Sequence, residues 1–332
     1  MVSKTEFTEQ AMKPIVSVIM STYNRCEYLK EAIDSILSQT FEKFEFIILN
    51  DGSTDDTRNI ILSYDDARIR FHDFHENLGY TFRLNQAISL AQGKYIARMD
   101  SDDLSCADRL ELQIEYLEAN QDVAVCGGLI EFIGDIPDNV KNWAIFHDPE
   151  TMKIALLFNC PICHPTVVFK KAIIEKTISY NESFEPAEDY ELWTRLSIQH
   201  KIMNLPKVLL KYRFSGGQVS NKTYSKQRNK RFRIFNTQLN RLNIFPNSHQ
   251  LRLHESLFHP SWINIYCYNN NVRIWFDTLI AANNISCIYE REKFVTFLEV
   301  LFLEVTQKSP RIIEDMIAHA IEKDNQIRKI NV

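Results

Sequence analysis

Hydrophobic and polar positions follow two different periods along the first 120 residues. Short apolar runs predict strands over Val16–Met20, Phe44–Leu49 and Tyr95–Met99, and an alternating pattern predicts another over Ile69–Phe74. Between them, apolar residues at helical spacing predict helices over Arg25–Gln39, from Ser53 or Thr54 to about Tyr64, over Thr81–Ala91 and over Asp108–Glu118. Strands that alternate with such helices are typical of βαβ units. We therefore predict an α/β fold with a Rossmann-like, mostly parallel sheet covered by helices on both faces.

The pattern changes after about residue 220. Strand-like runs become rare, and aromatic-rich stretches predict helices over Gln227–Arg241, His249–Phe258, Val272–Ala282, Arg291–Val305 and Arg311–Arg328. Gly216 and Gly217, with polar neighbours, are typical of a linker. The sequence thus predicts an α/β domain over residues 1–220 and a mainly helical region over residues 221–332.

Composition limits the class of protein. The 332 residues are 45% hydrophobic and 24% charged, as in globular proteins, and the net charge of −5 indicates no nucleic-acid partner. Seven irregularly spaced cysteines do not form a disulfide pattern. Cys160 and Cys163 lack the second pair of a zinc site, so we interpret them as structural thiols. The region Met1–Lys13 has no signal-peptide pattern and no run of 18 apolar residues occurs, so we expect a cytoplasmic location.

Charge is distributed unevenly along the chain. The segment Leu192–His254 contains thirteen lysines and arginines and no acidic residue. Such asymmetry indicates an anionic partner, either a membrane surface or a phosphate-bearing ligand, or else a solvated basic face. The sequence alone leaves these alternatives open.

Acidic residues stand where two predicted strands end. Asp51 follows the second strand, and Asp100 and Asp102 follow the fourth, so all three belong to the carboxyl edge where such sheets bind ligands. With eight glycines and neither GxGxxG nor GxxxxGK[ST], the chain lacks a phosphate-binding loop. Carboxylates that hold Mg²⁺ or Mn²⁺ are the alternative means of binding a diphosphate. A solvated acidic turn before a helix remains the competing interpretation.

Five ordered segments resemble the motifs of family 2 glycosyltransferases, which have the GT-A fold. They are VSVIMSTYN at 16–24, FIILNDGSTDDT at 46–57, NLGYTFRLNQAI at 77–88, GKYIARMDSDD at 93–103 and EDYELWTRL at 188–196. The resemblance spans residues 14–215 and is closest to bacterial enzymes that extend lipooligosaccharide (lipopolysaccharide), O-antigen or capsular glycans. It implies an inverting, metal-dependent transfer of a hexose or N-acetylhexosamine from a UDP-sugar to a glycan hydroxyl, in a β linkage.

The resemblance also implies which residues bind the donor. Thr22 and Tyr23 match positions that line the uridine site, and Asp51 matches the aspartate that bonds the edge of uracil. Asp100 and Asp102 match the D-x-D pair that holds Mn²⁺ or Mg²⁺ on the diphosphate. The next aspartate, Asp103, is expected to cap the following helix.

Glu188 and Asp189 match the acidic pair of the family's catalytic segment, and Asp189 matches its general base. An inverting transfer needs a carboxylate that takes the proton of the acceptor hydroxyl, and it needs no covalent nucleophile. Acidic residues at a helix N-terminus also complement the helix dipole, and both interpretations can hold together. Trp193, one turn later, is either an acceptor platform or, as we favour, part of the core. His164 lies near the donor or is a satisfied core histidine.

Three arginines are candidate contacts to the diphosphate: Arg83, Arg98 and Arg213. The family often has an arginine where Leu84 stands, so a surface position competes for Arg83. For Arg98, the competing role is that of a buried partner of the acidic turn. Ser215 stands where the family has a histidine, which leaves Arg213 as the candidate in that segment.

The expected partners are a UDP-sugar and an oligosaccharide or lipid-linked glycan acceptor. The helical region is expected to contact the acceptor, the anionic inner membrane or a second copy of the chain. Two other classes of protein compete with this interpretation. A nucleotide-sugar-binding protein without catalysis conflicts with the complete acidic set, and a sugar nucleotidyltransferase would need a glycine-rich loop after the first strand.

Overall fold

The computed structural model describes residues 13–136, 146–176, 179–214, 224–257 and 269–307. Several predictions fall outside these residues: the helix over Arg311–Arg328, the linker at Gly216 and Gly217, and the position of Ser215.

Parallel strands form the first half of the sheet. They are β1 (Val16–Thr22), β2 (Phe44–Asp51), β3 (Ile69–Phe74) and β4 (Tyr95–Arg98). The helices among and after them are α1 (Cys26–Leu37), α2 (Thr57–Leu62), α3 (Tyr80–Leu90) and α4 (Arg109–Ala119). β1 pairs with both β2 and β4, and β2 pairs with β3. Every residue of β1 and β2 is buried, as expected of strands covered on both faces, so the predicted βαβ units are confirmed.

Antiparallel strands extend the sheet beyond β4. They are β5 (Leu104–Ser105), β6 (Val123–Gly134), β7 (Val168–Lys170) and β8 (Lys201–Phe214), and α6 (Lys171–Lys176) follows β7. Among the described residues, the strand order is β3-β2-β1-β4-β7-β6-β8-β5. β7 runs antiparallel to both β4 and β6, and β5 runs antiparallel to β8. The predicted α/β fold is confirmed, with a sheet that is parallel from β3 to β4 and mixed beyond.

Two compact units divide the chain. Of the described residues, the first unit contains 13–136, 163–176, 179–182 and 207–214, and the second contains 146–162, 183–206, 224–257 and 269–307. The predicted boundary at residue 220 lies between segments of different units. The second unit also includes two earlier segments, so its residues are not consecutive in the chain.

Helices dominate the second unit. They are α5 (Pro149–Ala155), α7 (Glu188–Leu196), α8 (Tyr224–Arg241), α9 (Ser248–Ser256), α10 (Asn269–Ser286) and α11 (Arg291–Gln307). Their apolar core surrounds His254, whose ring stacks on Phe158 with 4.8 Å between centroids and meets Phe235 and Trp275 edge-on. Within the described part of the chain, none of the helices combines the length and hydrophobicity needed to cross a bilayer.

Candidate active site

The carboxyl ends of the parallel strands bring the predicted donor residues to one edge of the first unit. In the pairing of β1 with β2, Thr22 lies opposite Asn50, the residue before Asp51. Ile19 of β1 lies opposite Arg98, the last residue of β4, and Asp100 follows two residues later. The edge that the sequence pattern predicts is therefore present.

Two loops at this edge are joined by hydrogen bonds. Asn24 has a positive φ of 51°; its backbone N–H donates to Ser53 Oγ (3.0 Å), and its side-chain oxygen accepts from the N–H of Thr54 (2.8 Å). Thr22 is only 2% exposed, and its hydroxyl has no hydrogen-bond partner among the described residues. Tyr23 is 47% exposed. The two hydrogen-bonded loops thus leave the ring of Tyr23 exposed to solvent.

Asp51 is buried and bonded on both carboxylate oxygens. Oδ1 accepts from the N–H of Leu78, Oδ2 accepts from the N–H of Gly79, both at 3.0 Å, and Arg83 Nε donates to Oδ1 at 2.6 Å. Arg83 is 2% exposed and lies over the ring of Phe74, 3.8 Å from its centroid. The surface position considered for Arg83 is therefore wrong, because its guanidinium is an internal partner of Asp51.

Three carboxylates crowd together after β4. One oxygen each of Asp100, Asp102 and Asp103 lies within 4.8 Å of the others. Burial, and then the charge of Asp100, raise the pKa of Asp102 to about 6 and raise that of Asp103 well above its usual value. Asp103 Oδ2 is buried without a hydrogen-bond partner among the described residues. Desolvated, mutually repelling carboxylates of this kind fit a divalent cation.

The expectation that Asp103 caps the following helix is wrong. α4 begins at Arg109, and its N-cap residue is Asp108. Asp103 instead accepts a hydrogen bond on Oδ1 from the N–H of Arg213 (2.8 Å). It therefore belongs to the acidic turn itself.

Two arginines hold this acidic turn. Arg98 is 4% exposed and pairs with both carboxylate oxygens of Asp100, one of them at 2.6 Å, while its Nε donates to Tyr80 Oη at 2.8 Å. Arg213, near the end of β8, donates from Nε to the carbonyl of Asp102 (2.8 Å) and from Nη2 to Glu31 (2.7 Å). Arg98 is thus a buried partner of the acidic turn, one of the two roles considered for it.

Arg109 is a further arginine near the acidic turn, and it was not among the sequence predictions. Arg109 is fully buried at the start of α4 and donates to the carbonyls of Arg98 (2.9 Å) and Val167 (3.3 Å). Burial, together with the charge of Arg98, lowers the pKa of Arg109 to about 10. Arg109 thus bonds the backbone at the end of β4, next to the acidic turn. Nothing in its local sequence distinguishes it from a surface arginine.

The predicted catalytic pair lies in the second unit, at the start of α7. Glu188 is 6% exposed, Asp189 is half-buried, and Asp189 Oδ1 accepts from the N–H of Tyr190 at 2.7 Å. With Glu191, they place three acidic residues in the first turn, where the helix dipole favours negative charge. Trp193 is fully buried, so its predicted place in the core is confirmed.

The basic stretch has internal partners in the second unit. Lys230 Nζ and Arg233 Nη1 of α8 both donate to the carbonyl of Ser183, at 2.6 and 3.2 Å, and Gln227 donates to the carbonyl of Pro186. Arg228 forms an ion pair with the buried Glu255 at 2.7 Å. Part of the basic charge therefore holds the segment that precedes α7.

His164 and the neighbouring Cys163 are both buried. His164 is 8% exposed, its Nε2 lies 2.7 Å from Tyr180 Oη, and burial holds its pKa well below the usual value. In the described part of the chain, neither Cys160 nor Cys163 is in a disulfide.

Comparison with known proteins agrees with this arrangement. The sequence profile of glycosyl transferase family 2 matches residues 17–177. An uncharacterized glycosyltransferase of Haemophilus influenzae is 35% identical over 227 residues, which cover 65% of this chain and 70% of the relative. An uncharacterized glycosyltransferase of Methanocaldococcus jannaschii is 36% identical over 208 residues, which cover 60% of this chain and 71% of the relative.

Solved structures share the fold. S. aureus TarS 1-349 in complex with UDP-GlcNAc aligns with a TM-score of 0.58 and 18% identity, over 89% of this chain and 92% of that one. The same protein in complex with UDP aligns over the same shares with a TM-score of 0.54 and 19% identity. At this identity the likeness concerns the fold, and the family follows from the sequence relatives. The chain is a member of glycosyl transferase family 2 and has the GT-A fold.

Proposed function

We propose that this glycosyltransferase moves a hexose or N-acetylhexosamine from a UDP-sugar to a hydroxyl of a bacterial surface glycan, with inversion to a β linkage. The observation that carries the proposal is the crowded, desolvated cluster of Asp100, Asp102 and Asp103 at the carboxyl edge of the sheet. Support for a UDP-sugar comes from TarS, which shares the fold and was solved with UDP-GlcNAc.

Asp100 and Asp102 would hold Mn²⁺ or Mg²⁺. Such a cation, when bound, withdraws negative charge from the diphosphate that leaves. Arg98 keeps the Asp100 carboxylate in place, and Arg213 fixes the backbone of the acidic turn, so the carboxylates are oriented before the donor binds. Tyr23 offers an exposed ring against which a base can stack.

Asp189 serves as the general base in this proposal. Its carboxylate accepts the proton of the acceptor hydroxyl as that oxygen attacks the anomeric carbon, and UDP leaves with the electron pair of the broken bond. Glu188 and Glu191 share its helix turn, and Glu191 forms an ion pair with Arg195 at 3.0 Å.

The catalytic assignment is tested by Asp189→Asn. We expect hydrolysis of the UDP-sugar, in which water takes the place of the acceptor hydroxyl, to fall by about 10²–10⁴-fold, the usual contribution of a general base, while the affinity for UDP stays within a factor of three. Turnover is measured as acceptor-free hydrolysis across a panel of UDP-sugars. Glu292→Gln, at the start of α11, is the control at another helix N-terminus. Wild-type turnover in Asp189→Asn would remove Asp189 from this role.

The cation assignment is tested by chelation. EDTA should stop hydrolysis, and excess Mn²⁺ or Mg²⁺ should restore it. Full activity in EDTA after exhaustive dialysis would refute a metal-dependent reaction.

For the acceptor side, we propose peripheral contact of the exposed basic residues of α8, such as Lys226, with the anionic inner membrane where lipid-linked glycans reside. Each such residue near the surface contributes about 1 kcal/mol. Co-sedimentation with anionic vesicles should decrease with salt and be absent with neutral vesicles. Equal sedimentation with both would refute a contact made by basic residues, and a homodimer interface, the other use proposed for these helices, is detected separately by light scattering.

A further inference from the structure

The first turn of α3 contacts both strand ends that carry acidic residues. Tyr80, its first residue, accepts a hydrogen bond from Arg98 at the end of β4, and Arg83 donates to Asp51 at the end of β2. Tyr80 was not among the sequence predictions, because nothing local marks its hydroxyl as the partner of a residue 18 positions away. A single side chain, that of Arg98, lies between Tyr80 and the carboxylate of Asp100.

The guanidinium of Arg98 uses two different edges for these two partners. Its Nε and Nη2 donate to Tyr80 Oη, the first at 2.8 Å, and its Nη1 and Nη2 donate to the two oxygens of Asp100, the first at 2.6 Å. Because a guanidinium is planar and rigid, an acceptor that fixes one edge also fixes the direction in which the other edge points. The position of the Tyr80 hydroxyl therefore determines how Arg98 presents its N–H groups to Asp100.

The ring of Tyr80 is itself held by buried neighbours. It meets the ring of His164 edge-on, with 6.5 Å between the centroids, and His164 Nε2 lies 2.7 Å from Tyr180 Oη. The backbone N–H and carbonyl of Tyr180 form two hydrogen bonds of 2.9 Å with the side chain of Asn85, which also belongs to α3. Tyr80 thus offers Arg98 an acceptor whose position is fixed by packing.

Burial makes this acceptor necessary. Arg98 is only 4% exposed, and a buried N–H group that loses its partner keeps the full cost of its desolvation. Phenylalanine at position 80 would remove the acceptor of Arg98 Nε while it kept the ring. The guanidinium would then turn toward other oxygens, and Asp100 would lose the orientation that it has now.

We propose that Tyr80 is a positioning residue for the cation site: its hydroxyl orients Arg98, and Arg98 orients the carboxylate of Asp100 for a divalent cation. This inference rests on the proposed use of Mn²⁺ or Mg²⁺ by the acidic turn. Tyr80 touches neither the cation nor the reacting atoms in this role. It therefore acts on the affinity for the cation and not on the chemical step.

The first test needs no metal. In the wild-type protein, NMR should show the Nε–H of Arg98 exchanging with solvent at least about 100-fold more slowly than in an unfolded chain, because it is buried and bonded. In Tyr80→Phe this protection should fall at least about tenfold. Exchange at the unfolded-chain rate in the wild type would overturn the proposal even if the variant failed to fold, and so would equal protection in both proteins.

The second test measures the Kd of Mn²⁺ at saturating UDP, from the paramagnetic resonance signal of free Mn²⁺. Tyr80→Phe should raise this Kd about tenfold, as expected for the loss of one hydrogen bond to a charged group. At saturating Mn²⁺, hydrolysis of the UDP-sugar should return to within about threefold of the wild-type rate, because the chemical step does not use Tyr80. An unchanged Kd would overturn the proposal. A rate that stays low at saturating Mn²⁺ would also overturn it, since Tyr80 would then act in the chemical step itself.

A matched control is Tyr64→Phe. Tyr64 lies between α2 and β3, and its hydroxyl also bonds an aspartate, Asp34, at 2.7 Å. This variant should leave both the Kd of Mn²⁺ and the exchange of the Arg98 Nε–H unchanged. If the wild type binds no Mn²⁺, the cation assignment of the proposed function is wrong and this proposal falls with it. If the wild type binds Mn²⁺ and Tyr80→Phe binds it equally well, only this proposal falls.

Discussion

Aspartate carboxylates stand at the ends of both β2 and β4, but their hydrogen-bond and charge partners differ. At β2, Asp51 is buried with an arginine and two backbone N–H groups bonded to its oxygens. At β4, three carboxylates share a turn, burial and mutual repulsion raise the pKa values of Asp102 and Asp103, and Asp103 retains a buried oxygen that no described residue bonds. The one carboxylate at β2 has a guanidinium of its own, whereas the three carboxylates at β4 crowd around a turn in which Arg98 pairs with Asp100.

This difference separates residues that hold the fold from residues that hold a ligand. When the protein itself neutralises a buried carboxylate, removing its partner leaves an uncompensated buried charge and destabilises the fold. A carboxylate left in repulsion costs stability until a ligand cation binds. The acidic residues at one sheet edge thus divide by their partners, although their positions after strands look equivalent in sequence.

Of substitutions at the two strand ends, Asp102→Asn should have the largest effect on activity. Loss of a cation ligand removes several kcal/mol of stabilisation from the leaving diphosphate, so UDP-sugar hydrolysis should fall about 10²–10³-fold. The thermal midpoint without metal should stay equal or rise, because one repelling charge is gone. Activity assays and calorimetric melts measure the two effects, and a large loss of stability with activity intact would reverse the assignment.

Arg83→Met should have the largest effect on stability. It leaves the buried Asp51 carboxylate without its cation, and breaking such a pair costs about 3–5 kcal/mol. Urea denaturation followed by circular dichroism measures the change. A loss below 1 kcal/mol would mean that the end of β2 does not depend on this pair.

His254 extends the comparison to a buried group of the second unit that is satisfied only when neutral. Its Nε2 lies 2.9 Å from the carbonyl of Leu157, and its Nδ1 accepts from the indole N–H of Trp275, so a second proton would face a donor. Burial lowers the pKa of His254 to about 4 from the usual 6.5.

The unfolded chain therefore binds a proton between pH 6.5 and about 4 that the folded chain does not, and stability should fall as the pH falls through this window, by up to about 3 kcal/mol. Urea melts at several pH values should show a flatter dependence in His254→Asn than in the exposed control His249→Asn. Identical slopes in both variants would contradict a buried neutral His254.

Arg58→Met should have the smallest effect. The Arg58–Asp73 contact of 2.7 Å is close in length to the 2.6 Å contact of Arg83 with Asp51, but Arg58 is 55% exposed, and such pairs contribute less than about 1 kcal/mol. The same urea melts compare it with Arg83→Met. A cost equal to that of Arg83→Met would show that burial is not what distinguishes the two pairs.

The parallel part of the fold could be predicted because β1, β2 and β4 are short, mainly apolar segments and β3 alternates apolar with polar residues. β8 could not, since it contains Pro206 and exposed lysines at 207 and 211, features that argue against a strand. β5 has two residues, too few for any pattern.

Positions of the site residues were predictable, and their partners were not. Aspartates after strands identify a ligand-binding edge, but Arg83 lies 32 residues from Asp51, and Arg213 lies 110 residues from Asp103. Such contacts depend on tertiary packing that no local pattern encodes. The burial of Arg109 and Arg83 is hidden for the same reason.

The central claim is that the acidic turn after β4 is incomplete without a cation. Titration of Mn²⁺ into the wild-type protein with UDP, followed by the paramagnetic resonance signal of free Mn²⁺, tests it directly. We predict one bound Mn²⁺ per chain, lost in Asp102→Asn and retained in Arg58→Met. No bound Mn²⁺ in the wild type, or equal binding in Asp102→Asn, would contradict the claim.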